Sequence, residues 1–403
     1  MAHRFRAAGA GWYAGGVEGA GLVLTGGGAR GAYQVGALRA LAEILGPGQC
    51  PFRILVGSSA GAINAVALAG LAEDFRAAAA RLEERWTSLT PDQVFRTDAR
   101  RLVAIGTHWI RDLSGGGLFG RSRINYLLDA SPLRDFLAGA LPVARLPAHI
   151  AAGRLRGVAV SVTSYDSGLG ISFFDGAPDI EPWVRSTRVG LRATLRLEHV
   201  LASAAIPIFF PPVRIKGAFY GDGCVRMTSP LSPAIHLGAE RIVAVGVRHQ
   251  RDPQAMLALR RTRRRGNLAP SEIAGVLMNA VLLDALESDV ERLERLNRMA
   301  ALLSGGERSR PPPAREIPIL VLRPSQDLGA LAAGQYRRFP RALRYLLKGI
   351  GANEGNGSDL LSYLAFEPVF VGRLVELGYQ DTLARRREVE AFFGREAPVR
   401  RRA

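Results

Sequence analysis

Hydrophobic positions near the start of the chain follow two alternating patterns. A short apolar run at 21–24 is followed by a glycine cluster, then by Tyr33, Leu38, Leu41 and Leu45 at helical spacing. That order predicts a strand, a tight turn and a helix. It returns at once, with an apolar run at 54–56, a turn at 57–61 and a helix of small residues. Repeated strand and helix units predict a mostly parallel sheet. Residues 54–72 carry no formal charge, a length that can span a bilayer, but three glycines with Ser58, Ser59 and Asn64 make them a buried strand, turn and helix instead.

Farther on, 74–89 and 132–141 read as surface helices with a Gly115-Gly116-Gly117 loop between them. Residues 157–176 alternate about Gly168 and predict a hairpin, and 213–224 predict a further strand or strand pair entering a glycine turn. Residues 241–247 and 317–322 read as buried strands. Between them lie the basic run Arg260-Arg261-Thr262-Arg263-Arg264-Arg265, one periodic helix over about 271–303, and a flexible link at 304–316. From Tyr336 onward the text predicts amphipathic helices packed on the outside or end of the sheet, and no internal repeat is visible.

Composition narrows the class. The 403 residues are 48% hydrophobic and 22% charged, which excludes a disordered chain. Two cysteines, Cys50 and Cys224, exclude a disulfide scaffold and a Cys-rich zinc module. The net charge is +17, and Lys216 and Lys348 are the only lysines, so arginine supplies almost all the excess. Such a surface suits phosphate or anionic lipid, but single-sign charge speaks to steering and solubility rather than fold. No recognised nucleic-acid motif accompanies it, so no nucleic-acid partner is expected. The first 21 residues lack an apolar signal region and no membrane-spanning helix is predicted; a cytoplasmic or peripheral-membrane location is expected.

Candidate chemistry lies in the turns. Gly57-Ser58-Ser59-Ala60-Gly61 sits between a strand and a helix, the context in which a G-x-S-x-G turn exposes its central serine as a nucleophile. Gly26-Gly27-Gly28-Ala29-Arg30-Gly31 lies at a helix N-terminus, where unpaired N–H groups suit a developing oxyanion. Arg30 adds a fixed charge there or anchors the loop. The same six residues match a dinucleotide fingerprint, but the next strand ends in Val56-Gly57-Ser58-Ser59 without the acidic residue that would hold a ribose. A serine also needs a base. Of six histidines, His236 is the best candidate for a Ser-Asp-His triad; the other reading is Asp222, set between Gly221 and Gly223 after an apolar strand. No His, Cys and carboxylate cluster has metal-ligand spacing, and neither metal nor cofactor is expected.

Together, GGGARG, GSSAG and GDG, with ASAAIPIFFPP ahead of the last, resemble the patatin-like phospholipase family, spread in order over roughly 230 residues. The resemblance implies a three-layer α/β/α fold, and hydrolysis of phospholipid or other acyl esters by a Ser-Asp dyad without histidine. It makes Ser59 the nucleophile, Asp222 the general base, and the Gly26–Gly31 loop, through Gly26, Gly27, Gly28, Ala29, Arg30 and Gly31, the oxyanion and substrate-binding block. Gly57, Gly61 and Gly223 become elbow and turn residues. Cys224 departs from the small Gly or Ala usual after Asp-Gly in the family. Expected boundaries are a flexible N-terminus at 1–16, a hydrolase domain at 17–325 with a helical insertion at about 251–316, and a C-terminal helical extension at 326–403. Ile206-Pro207-Ile208-Phe209-Phe210 is a candidate acyl-slot lining, and the arginine clusters a candidate anionic-membrane contact. Alternatives are a non-catalytic lipid-binding or scaffolding protein on the same fold and an α/β-hydrolase-like esterase with a His-containing triad.

Overall fold

The computed structural model describes residues 19–96, 107, 126–250, 254, 269–303, 315–349, 351–352 and 357–394. The 1–16 segment, the Gly115-Gly116-Gly117 loop, the arginine run at 260–265 and most of the 304–316 link lie outside the described residues.

Among the described residues one sheet contains β1 (Ala20–Leu24), β2 (Ile54–Ser58), β3 (Gly157–Ser164), β4 (Gly170–Gly176), β5 (Trp183–Val184), β6 (Arg188–Arg192), β7 (Val213–Ile215), β8 (Ala218–Asp222), β9 (Arg241–Val245) and β10 (Ile319–Leu322). The order is β10-β9-β1-β2-β3-β4-β6-β5, and the first five of these run parallel. The predicted hairpin is β3–β4, turning at Gly168, so the parallel sheet continues into an antiparallel edge. The end of β3 also takes β8 antiparallel, with Val162 opposite Asp222, and β7 pairs with β8.

The helices that matter to the site are α1 (Ala32–Leu45), α2 (Ala60–Ala69), α3 (Phe75–Thr87), α4 (Ser131–Ala140), α5 (Leu197–Ser203), α6 (Ser232–His236), α7 (Pro270–Leu282), α8 (Asp284–Leu303), α9 (Arg341–Gly349), α10 (Ser358–Leu364) and α11 (Pro368–Ala384). They cover both faces of the sheet, which is why the parallel strands are apolar throughout. The period-2 alternation still sorts the side chains: Leu22, Leu24, Leu55 and Val160 join the core that includes α1 and α2, whereas Val23, Val56, Ala159 and Ile242 join the core beneath α6 and α8.

Two elements differ from expectation. The single helix expected over 271–303 is broken at Leu283, because α7 packs on α10 while α8 turns Leu286, Val290 and Leu293 into the opposite face of the sheet. One continuous helical phase cannot serve both surfaces. The C-terminal helices do pack outside α1, but α10 goes further: Leu360, Leu361, Tyr363 and Leu364 are fully buried in the same core as β1.

A buried polar chain ties three helices to the sheet. The Trp86 indole N–H donates to Asn64 Oδ1 (2.8 Å), and Asn64 Nδ2 donates to Gln34 Oε1 (2.9 Å) and the Gly31 carbonyl (3.2 Å). Gln34 Nε2 then donates to the Thr25 carbonyl (2.7 Å) and the Val245 carbonyl (3.2 Å). Every link is made in the interior, so removing the middle of the chain strands groups that water cannot reach. Asn64→Leu is expected to lower unfolding free energy by about 2–4 kcal/mol in urea denaturation, and a loss under about 0.5 kcal/mol would show that the network contributes nothing.

Candidate active site

Ser59 is the single residue between β2 and α2, and it holds φ 53° and ψ −128°. A non-glycine residue at positive φ is strained, and that strain is tolerated where the surroundings over-determine the turn. Here they do. A Cβ on Gly61 would lie 2.1 Å from the Leu24 carbonyl, so the first turn of α2 rests directly on β1. Gly57 lies as closely against Gly61 and Ala62. On the other side the Ser59 N–H donates to Ser203 Oγ (2.9 Å), which itself donates to the Ser161 carbonyl (2.6 Å). Ser203, at the end of α5, is a support that motif reading missed; its only signal was a serine within ASAAIP.

Asp222 ends β8 beside that turn. Its backbone is pinned, with its N–H on the Ala205 carbonyl (3.0 Å) and its carbonyl accepting from Thr163 Oγ1 (2.7 Å). Oδ1 accepts from the Cys224 N–H (2.9 Å), and Gly223 lies against the Ser161 carbonyl. Oδ2 is buried and has no hydrogen-bond partner among the described residues. Burial pushes the carboxyl up to about 6, opposed by the Ser59 hydroxyl and then by the Cys224 N–H. The Ser59 hydroxyl thus favours the carboxylate form, although no Ser59–Asp222 hydrogen bond is closed among the described residues. Burial also holds the Cys224 thiol well above its ordinary value, with the Asp222 charge adding to it, so Cys224 stays a neutral thiol.

The glycine loop closes the third side. A Cβ on Gly26 would fall 2.4 Å from Cys224 Sγ and 2.7 Å from Ser59 Cβ, so only glycine lets the loop approach both. A 3-10 turn over Gly28–Gly31 then leads into α1, with Ala29 buried and Gly31 packed on Ala60 and Trp86. Among the described residues the N–H groups of Gly27 and Gly28 have no acceptor, and they stand at the N-terminal end of the 3-10 turn that leads into α1. Arg30 serves as an anchor: its side chain, 3% exposed, donates from Nε to Ser362 Oγ (2.7 Å) and from Nη2 to Asp359 Oδ1 (3.0 Å), and it stacks 4.4 Å from the Tyr363 ring centroid. All three partners lie on α10, some 330 residues away in sequence and invisible to motif reading.

Ser59 and Gly28 open onto a cavity with walls of apolar side chains from α2, α3 and α4. Ile206 and Phe210 line it, as expected, and so does Phe366, just beyond α10. Pro207 and Ile208 instead border a separate hollow, because Ile208 adopts φ 70° and points outward, 59% exposed. Among the described lining residues, Arg81 and Arg85 are the only charged ones.

His236 is not placed to complete a triad, which corrects that alternative. It lies just before β9, at the end of the sheet where Ala20 pairs with Arg241, whereas Ser59 follows the opposite end of β2. Its ring stacks on Trp183 (4.6 Å, 7°), and burial with nearby Arg185 and Arg188 pushes it down to about 4. His149, His199 and His249 are engaged by Glu73, the Arg196 N–H and the Pro324 carbonyl; His3 and His108 lie outside the described residues. Among the described residues no three His, Cys, Asp or Glu side chains cluster as a metal site, and no helix is long and apolar enough to cross a membrane.

The patatin-like phospholipase family model matches residues 22–235, more than half of the chain. No curated protein is matched. Among solved structures the chain is similar to VipD from Legionella pneumophila, with 14% identity and a TM-score of 0.34 over 91% of this chain; it spans 66% of that protein's length. The family match begins in β1 and ends in α6, so it contains the glycine loop, the Ser59 turn and Asp222, and it stops short of α10. The chain belongs to the patatin-like phospholipase family.

Proposed function

We propose that the protein is a serine carboxylic ester hydrolase of phospholipase A or lysophospholipase type, using Ser59 and Asp222 as a dyad. The observation that carries this reading is the unpartnered Asp222 Oδ2 beside the Ser59 hydroxyl, at the head of an apolar cavity. The acyl chain lies in that cavity, placing the ester carbonyl between Ser59 and the N–H groups of Gly27 and Gly28. Ser59 Oγ attacks the carbonyl carbon while its proton passes to Asp222 Oδ2, and the oxyanion is held by the two N–H groups. Collapse breaks the ester C–O bond, and Asp222 returns the proton to the departing alkoxide. Water then attacks the acyl carbon while one of its protons passes to Asp222, and collapse breaks the C–O bond to Ser59 as Asp222 returns that proton to Ser59 Oγ, releasing the fatty acid.

A carboxylate is a weak base in water, and burial is the remedy this fold offers. A value near 6 brings Asp222 closer to the proton affinity that general-base work at neutral pH requires. We also assign catalysis to the 17–325 unit, and to the 326–403 extension the holding of the glycine loop through Asp359, Ser362 and Tyr363.

Four outcomes follow from this reading. Wild-type protein should gain the mass of one fluorophosphonate adduct and hydrolyse a short-chain ester, and Ser59→Ala should do neither while keeping its circular dichroism; ester turnover by that variant would falsify the nucleophile assignment. The rate, kcat/KM, should fall as pH drops through about 6 and level off above it, because only ionised Asp222 accepts a proton. Asp222→Asn should cost at least about 10³-fold in kcat and yet stabilise the fold. The sign is fixed by linkage: a folded pKa raised above the unfolded one means the protonated form is favoured in the fold, so the stabilising contribution is lost as pH rises through about 6. On the order of 3 kcal/mol is then recovered by Asn at pH 8 and almost none at pH 4, read from thermal unfolding at the two pH values. Equal stability of the two proteins at pH 8 would remove burial as the source of the shift. Fourth, Asp359→Ala should lower kcat about 10–100-fold with little change in KM or in the pH midpoint, because it loosens the oxyanion donors rather than the acyl cavity; unchanged kcat would show that the loop holds itself.

A further inference from the structure

We infer that α7 and α9 together form the surface on which the protein rests against an anionic lipid bilayer. The inference deepens the lipid-hydrolase reading and rests on it.

The inner side of α7 is engaged by α10. Gly275 lies against Asp359, Asn279 Oδ1 accepts from the Tyr363 hydroxyl (2.8 Å), and Leu282 enters the core. Its outer side shows the reverse of a normal surface helix. Ile273, Val276, Leu277 and Val281, spaced as one helical stripe, are 48%, 66%, 61% and 40% exposed, and Ala280 lies between them. Glu272, at the N-terminal end, is the only charged residue of α7, and it is occupied by the Ala269 N–H. A contiguous apolar stripe of this kind on a water-facing helix marks an interaction surface.

The neighbour of the stripe identifies its occupant. Gly351, just after α9, abuts Ala269 at the start of α7, so the two helices meet end to end. Arg341, Arg344 and Lys348 of α9 surround a shallow hollow with Tyr336 and Tyr345, and Tyr345 is 79% exposed. From residue 328 to 353 the sequence holds five cations and no Asp or Glu. Apolar residues beside a one-sign cationic helix with an exposed tyrosine are what lies in the interface of an anionic bilayer. No described helix is long and apolar enough to cross a membrane, so this contact lies on the bilayer. A second copy is the weaker occupant, because self-pairing about a two-fold axis would bring the two cationic helices together. The position also serves catalysis: α7 packs on the turn that follows Asp222 and on α10, which anchors the glycine loop.

The test uses full-length Ser59→Ala protein, so that binding is read without hydrolysis of the vesicles. It should co-sediment with phosphatidylcholine vesicles containing phosphatidylserine, and far less with phosphatidylcholine alone. Adding Val276→Glu and Leu277→Glu should weaken that binding by about ten-fold or more. Adding Arg341→Gln, Arg344→Gln and Lys348→Gln should reduce the preference for anionic vesicles and its sensitivity to salt. In the Ser59 background, both sets should keep wild-type hydrolysis of a soluble short-chain ester. The proposal is overturned if Ser59→Ala protein does not sediment with anionic vesicles, if the α7 variant binds equally well, or if light scattering shows a dimer that Val276→Glu splits. Binding that persists in a chain with no esterase activity would instead remove the hydrolase reading and leave the surface.

Discussion

A carboxylate stripped of water, with one oxygen unpartnered, is the least comfortable group in this fold, and the arrangement around Asp222 makes sense only as a setting for it. The antiparallel pairing of β8 on β3, the Ala205 carbonyl and Thr163 hold its backbone, and Cys224 satisfies one oxygen. The other is left facing a serine that is itself held in a strained conformation. Both features oppose stability, and both persist because the surrounding sheet over-determines them. Gly26, Gly57 and Gly61 are the residues that let three backbones converge there without side chains between them.

The second dependence runs to the far end of the chain. Oxyanion donors work only if they are fixed before charge develops. Here the loop proposed to offer them is fixed by Arg30, which is buried against Asp359, Ser362 and Tyr363, while Gln34 and Asn64 brace the loop from below. The family match ends at residue 235, yet α10 lies beyond it and touches this loop. The same helix separates the loop from α7, so the apolar stripe and the proposed oxyanion donors share one support.

Much of this was legible in the sequence because it is local. Strand, turn and helix periodicity around Gly26–Gly31 and Gly57–Gly61 is short-range, and so is the Gly168 hairpin. The structure brings Ser59, Asp222 and the glycine loop together, whereas His236 stacks on Trp183 at the other end of the sheet. What escaped is non-local or depends on packing: Ser203 behind Ser59, the α10 clamp on Arg30, and the break at Leu283, where two faces of the sheet compete for one helical segment. None of these leaves a pattern within a window of a few turns.

The most direct test of the account is the titration of the Asp222 carboxyl itself, followed by carbon NMR of protein labelled at the aspartate side-chain carboxyl and assigned by the signal lost in Asp222→Asn. The account predicts a midpoint near 6, coincident with the acid limb of the rate profile. A midpoint near the ordinary aspartate value of about 3.9, or one that titrates independently of the rate, would contradict it.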